Sequence, residues 1–253
     1  RRRMSFTMKR RSVLLGSGAL MLGACSKVHE STAGQSLFGA VDDWQMGLQR
    51  ALTARNALAP EFAPEDISPF FRGNGSTDPQ NDGYPQHAAE GFANWRFTVG
   101  GMVERPLSFT LDQVMRLPQR TQITRHDCVE GWSAIGQWTG PQLKTFLDLA
   151  KVRDGAKYIV FRCADDYTQG RYYESIDMDD AYHPQTIIAH RLNGEPLPVR
   201  NGAPLRARVE RQLGYKHAKY LTGVEAVASL DDIGLGKGGY WEDHSGYQWY
   251  AGM

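Results

Sequence analysis

"RHDCVEGWSAIGQWTG", residues 125–140, sets one cysteine, Cys128, between His126 and Asp127 on one side and Glu130 and Trp132 on the other. The preceding "RTQITRHDC" reads as a strand, so Cys128 stands where a strand gives way to a loop. A rigid scaffold presents reactive atoms to a pocket from such positions. Three chemistries use a thiol placed this way. A nucleophile needs a base, and His126, two residues back, either shares its face of the strand or is lost in the turn. A zinc ligand needs partners at short spacing, and neither C-x-x-C nor H-x-x-x-H occurs. A single thiolate can serve a soft redox metal when an organic cofactor supplies the other ligands. A fourth reading pairs Cys128 with Cys163 in a disulfide, which an exported chain permits. The residues alone leave all four open.

Export is indicated upstream. "MKRRSVLLGSGALMLGACS", from Met8, joins Lys9, Arg10 and Arg11 to an apolar run over residues 13–24 that is too short to span a bilayer, and it ends at Cys25. Residues 1–25 are therefore expected to form a signal segment with translation starting at Met4 or Met8. The adjacent arginines resemble a twin-arginine signal, which carries proteins already folded around a cofactor. Leu22 to Cys25 resembles a lipoprotein cleavage box, with Cys25 as the lipidated residue. No later run is long and apolar enough to cross a membrane.

The 253 residues, 41% of them hydrophobic, suffice for a substantial core. The charges, 29 basic against 28 acidic, are spread along the chain and give no general reason to hold nucleic acid. No Walker or dinucleotide glycine motif is present. Leu37, Val41, Trp44, Leu48, Leu52 and Leu58 fall at helical spacing and predict a helix packed on the main domain, so residues 26–64 read as helix and linker. Residues 59–90 contain five prolines and predict a long irregular segment. Further on come a strand at 95–103, a short helix at 110–118 capped by Thr110, an amphipathic helix at 140–152 and a buried strand at 156–164. "RYYESI" and "TIIAHRL" read as strands flanking a short helix "MDDAYH", and a last strand follows the turns of "GEPLPVRNGAPL". The glycine- and aromatic-rich tail, 231–253, is expected to wrap the domain without regular structure. Strands outnumber helices without strict alternation, which predicts a mixed α+β domain.

"CVEGWSAIGQWTGPQLKTFL" resembles the cysteine motif of the sulfite-oxidase-type molybdopterin family, in particular its periplasmic protein-methionine-sulfoxide reductase subunits. "AKYIVFRCA", "NGAPLR" and "LGYKHAKYLTGVE" resemble, in order, later segments of that family, and "FFRGNG" an earlier one. The resemblance covers residues 65–230 and implies one molybdopterin-binding domain with a mixed sheet and flanking helices. It implies a molybdenum-molybdopterin cofactor with Cys128 as the one protein ligand to the metal and the catalytic residue. It further implies that Arg72, Asn74, Cys163, Asn201, Arg206, His217, Ala218 and Lys219 bind the pterin. An anionic pterin phosphate suits Arg, Lys and backbone N–H donors. Val-Glu-Gly-Trp after the cysteine replaces the Ala-Gly-Asn-Arg-type run of sulfite oxidases proper, which turns the expected substrate from sulfite toward an S-oxide such as methionine sulfoxide, free or protein-bound. No haem motif is present, so the resemblance implies a haem-bearing membrane subunit as electron donor to a monomeric periplasmic enzyme, with a lipid anchor at Cys25.

Overall fold

The computed structural model of the chain describes residues 31, 41, 44–81 and 83–253. The signal segment, its twin arginines and Cys25 lie outside these residues. The chain divides into two units, Arg1–Leu52 and Thr53–Met253. In the first, helical backbone runs over 44–52, with Trp44, Leu48 and Leu52 exposed. In the second, the backbone at Ala59 and Phe62 is hydrogen-bonded to Gln185 and Ile123.

Within the second unit the main sheet has five strands in the order β2-β1-β11-β5-β6. Their ranges are β1 Arg96–Gly101, β2 Leu107–Thr110, β5 Tyr158–Tyr167, β6 Gly170–Asp177 and β11 Leu221–Val227. β1 and β11 run parallel and every other pair is antiparallel, so the sheet is mixed, as the α+β reading requires. The helix Leu143–Ala150 buries Leu143, Phe146, Leu147 and Ala150, the stripe its sequence spacing places on one face. The helix Leu111–Arg116 is closed by a reciprocal pair: Thr110 Oγ1 accepts from the Gln113 N–H, and Gln113 Oε1 from the Thr110 N–H.

A second sheet, β3-β4-β8-β9, carries the cysteine motif. β3 is Gln119–Asp127 and β4 is Ser133–Pro141; β8, Arg191–Leu192, and β9, Glu195–Pro196, are short. β4 escapes the sequence reading, although its buried residues Ala134, Gly136, Trp138 and Gly140 alternate with partly exposed ones. β3 alternates too, but its buried face is polar: Gln122, Thr124 and His126 point inward. β7, Ile187–Ala189, pairs with β10, Arg206–Arg208, which sets Arg206 and Arg208 two residues apart on one face of a fully buried strand.

The segment 59–90 is irregular apart from a 3-10 turn at Pro64–Asp66 and a helix at Tyr84–Ala89, whose Pro85 suits a first helical turn. The tail departs from its expectation by forming a helix, Tyr240–Ser245, begun from the extended Gly239 and closed by the left-handed Gly246.

The turn of "NGAPLR" requires its glycine. Gly202 has φ +111°, and a Cβ there would lie 2.9 Å from both Cβ and Cγ of Lys219. Gly202→Ala is expected to destabilise the chain by roughly 1–3 kcal/mol, seen as a lower urea midpoint with an unchanged slope. An unaltered midpoint would show that the two segments are not packed as described.

Candidate cofactor site

Cys128 and Arg206 line one cleft, together with Asn74, His217 and Lys219, and its empty space is about 620 Å³. Three segments far apart in sequence therefore converge: the 72–76 loop, the β3–β4 turn and the stretch from β10 to residue 219. The β3–β4 turn is tight, with the Cys128 N–H donating to the Trp132 carbonyl (2.9 Å) and the Gly131 N–H to that of Cys128 (2.9 Å). It leaves the Cys128 side chain at the cleft. Asn74 Nδ2 approaches Sγ at 3.9 Å. Burial raises the thiol's pKa, against the pull of the Glu130 N–H, Arg206 and Asn74, and the Glu130 carboxylate raises it further.

Behind Arg206, Trp138 packs against two arginines. The guanidinium carbons of Arg206 and Arg208 lie 5.4 Å and 4.4 Å from its ring centroid, and all three side chains are fully buried. Arg208 is compensated: Nε donates to Glu210 Oε1 (2.9 Å), Nη2 to Oε2 (2.6 Å) and Nη1 to His126 Nδ1 (3.0 Å). Arg206 is not. Nη1 donates to the Asn201 carbonyl (3.1 Å), while Nε and Nη2 have no partner. Burial, and then Arg208, push the Arg206 pKa down to about 9. A buried guanidinium with two open donors lacks an anion, since leaving such groups unmet costs more than most single contacts return.

Further open atoms surround it. His217 Nε2 serves the carbonyls of Val209 (2.9 Å) and Gln212 (3.0 Å), so its unpartnered Nδ1 is an acceptor. Burial, followed by the two arginines, holds this imidazole well below its usual pKa and keeps it neutral. Asn74 Oδ1 and Asp165 Oδ1 are also buried without partners. This set of one cation, several acceptors and one soft sulfur fits a phosphate-bearing pterin that brings its own N–H donors and a metal. Lys219 plays another part. Its Nζ donates to the carbonyls of Asn74 (2.6 Å) and Ser76, tying down the loop that carries Asn74.

Other expected site residues fall elsewhere. Asn201 and Ala218 lie behind the cleft, where the Asn201 carbonyl holds Arg206 and that of Ala218 accepts from the Ala207 N–H (2.8 Å). Arg72 is exposed, 5.9 Å from the Trp132 ring centroid, and does not line the cleft. Nor does Cys163, which is fully buried in the main core. Both Cys128 and Cys163 are free thiols, which corrects the disulfide reading. The pairing of β5 with β6 shifts register between Arg162 and Asp166, and the β5 residues that line the cleft are Asp165 and Tyr167. The sequence signal for Asp165 is a carboxylate directly after the buried-type stretch 156–164.

Burial pushes the Asp165 carboxyl from 3.8 up to about 7, against the pull of Lys219 and Arg171, while Asp166 adds to the rise. The unfolded chain releases this proton near 3.8 and the folded chain holds it to about 7, so the folded state binds more protons between those values. Stability relative to Asp165→Asn is thus full below 3.8 and falls as pH rises toward about 7 in the ligand-free chain. Thermal unfolding of both proteins across that range checks this, and parallel profiles would contradict it.

Known proteins are similar to this chain in sequence and in fold. The family profile described as "Oxidoreductase molybdopterin binding domain" matches residues 82–232. An Azospira oryzae relative, provisionally named protein-methionine-sulfoxide reductase subunit YedZ1, is 38% identical over 96% of this chain and 85% of its own length. The protein-methionine-sulfoxide reductase catalytic subunit MsrP of Xanthomonas axonopodis is 36% identical over 54% of this chain, and that of Campylobacter jejuni 31% identical over 52%. The aligned segments span 46% and 48% of those two relatives, about half their length. In fold the chain is similar to the sulfane dehydrogenase SoxCD of Paracoccus pantotrophus, with a TM-score of 0.50 and 22% identity over 54% of this chain and 39% of that one. The chain that cradles these open donors and acceptors belongs to the molybdopterin-binding oxidoreductase family, and molybdopterin is its cofactor.

Proposed function

We propose that this chain is the catalytic subunit of an exported S-oxide reductase, converting a sulfoxide such as methionine sulfoxide to the sulfide. The carrying observation is the distribution of charge in the cleft. Among the described residues that line it, the Arg and Lys side chains are Arg206 and Lys219, both buried. The more exposed rim has Val129, the Glu130 carboxylate, Trp241 and Tyr247. An oxyanion such as sulfite would meet a carboxylate and aromatic rings there, whereas a neutral sulfoxide has no charge to compensate.

Cys128 would be the protein's ligand to molybdenum, giving up its proton on binding. Arg206 would take the pterin phosphate on the open N–H groups of Nε and Nη2, and His217 Nδ1, Asn74 Oδ1 and Asp165 Oδ1 would accept from donors of the pterin. Asn201 and Lys219 would act one layer back, by holding Arg206 and the 72–76 loop. The bound cofactor supplies two-electron oxygen-atom transfer. Reduction of a sulfoxide consumes two electrons and two protons and releases the sulfide and water. The electrons would come from a haem-bearing membrane subunit, in keeping with relatives named as reductase subunits. The twin-arginine-like segment and the lipobox-like Cys25 support a periplasmic location next to that partner. No helix among the described residues is long and apolar enough to cross a membrane.

The test is Cys128→Ser in protein loaded in a molybdate-fed host, assayed with reduced viologen and methionine sulfoxide. Activity is expected to fall by more than the roughly 10–100-fold that losing a supporting residue around a metal costs, with less molybdenum retained and the melting temperature little changed. Full activity in the variant would end the ligand assignment, and a loaded wild type inert toward every S-oxide would end the substrate assignment.

A further inference from the structure

The family match ends at residue 232, yet two side chains of the cleft rim, Trp241 and Tyr247, come from beyond it. They are stacked on each other, centroids 5.9 Å apart at 28°, and both stay partly exposed. Trp241 also meets Tyr167 edge-on at 5.3 Å, and Tyr247 meets Tyr215 at 5.0 Å, so the pair extends into a continuous aromatic surface.

The segment that carries them is held firmly. Lys216, fully buried, donates from Nζ to Glu174 Oε1 and to Glu242 Oε1, joining strand β6 to the tail helix at 240–245. Tyr173 donates to Asp243 Oδ2, and that carboxylate also accepts the N–H groups of Leu235 (2.9 Å) and Lys237 (3.1 Å). Past the helix, Trp249 Nε1 donates to Ser175 Oγ (2.8 Å) and Tyr215 Oη to the Gln248 carbonyl (2.6 Å). A tail anchored on both sides of Trp241 and Tyr247 presents them as a fixed surface. Polarisable sulfur packs well against aromatic rings, and apolar carbon flanks add buried area, while a small or charged substrate gains little.

We propose that Trp241 and Tyr247 are the specificity-determining residues of the site, forming a wall that selects neutral sulfoxides with a bulky apolar flank. This rests on the S-oxide reading above. The probes are methyl p-tolyl sulfoxide and dimethyl sulfoxide, given to the molybdenum-loaded enzyme with reduced viologen. Trp241→Ala and Tyr247→Ala are each expected to lower the kcat/KM ratio of the tolyl substrate to dimethyl sulfoxide by about tenfold, carried by KM, with wild-type molybdenum content. Trp241→Leu and Tyr247→Leu, which keep apolar bulk without a ring, replace the alanine variants if those load poorly, and the same fall in ratio is expected.

If the wild type reduces sulfoxides and the ratio is unmoved in well-loaded variants, the wall is refuted and the S-oxide reading stands. If the wild type reduces no sulfoxide, that reading fails, and ligand-detected NMR of methyl p-tolyl sulfoxide binding to the loaded protein decides the wall. Binding lost in the Trp241 variant supports it, and absence of binding to the wild type overturns it.

Discussion

Two guanidinium groups over one buried indole set the terms for the rest of the site. Arg206 and Arg208 leave the same face of β10 toward Trp138, and like charges this close in a dry interior repel. The chain resolves half of the conflict itself. Glu210 meets Arg208 with both carboxylate oxygens, and Gln122 Nε2 in turn donates to Glu210 Oε1 (2.9 Å), so the inward polar face of β3 exists to enclose this pair. Breaking such a buried pair by removing one partner typically costs about 3–5 kcal/mol. The other half, the two open donors of Arg206, is left for an anion from outside the chain. The fold is thus complete in its packing and incomplete in its electrostatics, which is the condition of a cofactor site formed before its cofactor arrives.

Stability and function are separated by layer. The mixed sheet and the helix at 143–150 form the main core, and their side chains stay out of the cleft except where β5 and β6 reach it through Asp165, Tyr167 and Tyr172. The second sheet brings Cys128 to one side of the cleft through a short turn, and the 72–76 loop brings Asn74, pinned by Lys219. Close backbone approaches make this possible. Gly202 packs against Lys219, and a Cβ at Gly214 would lie 2.4 Å from His126 Nε2. Gly202 lets the segments that hold the arginine and the lysine meet, and Gly214 lets the stretch before His217 close on the end of β3 beside Cys128.

Much of this was readable from the sequence, and the limits have physical causes. Cys128, Arg206, His217 and Lys219 lie in short contiguous motifs, and the resemblance of those motifs to a known family, rather than the residues alone, marks them as candidates; the structure sets all four on one cleft. Asp165 was missed because β5 is buried on both faces, so no alternation marks the side that meets the cleft, and the expected strand stops at residue 164. Cys163 was implied by the same resemblance and lies in the main core, off the cleft lining. The Arg208–Glu210 pair was invisible because charged residues in a turn-rich stretch read as surface; only the juxtaposition of β10 with β3, 84 residues apart between Thr124 and Arg208, turns them inward. β4 was missed because its glycines hide its alternation. The tail helix was missed because its anchors, Lys216 with Glu174 and Asp243 with Tyr173, are tertiary contacts rather than periodic ones.

The central claim is that the unpaired guanidinium of Arg206 holds the molybdopterin. The most direct measurement is molybdenum and released pterin per chain in protein from a molybdate-fed host, for the wild type and for Arg206→Met, which keeps apolar bulk over Trp138 without charge. The account predicts near one of each per wild-type chain and far less of both in a folded variant. Full loading of Arg206→Met, or a stably folded wild type without pterin from a host proven to make it, would contradict it.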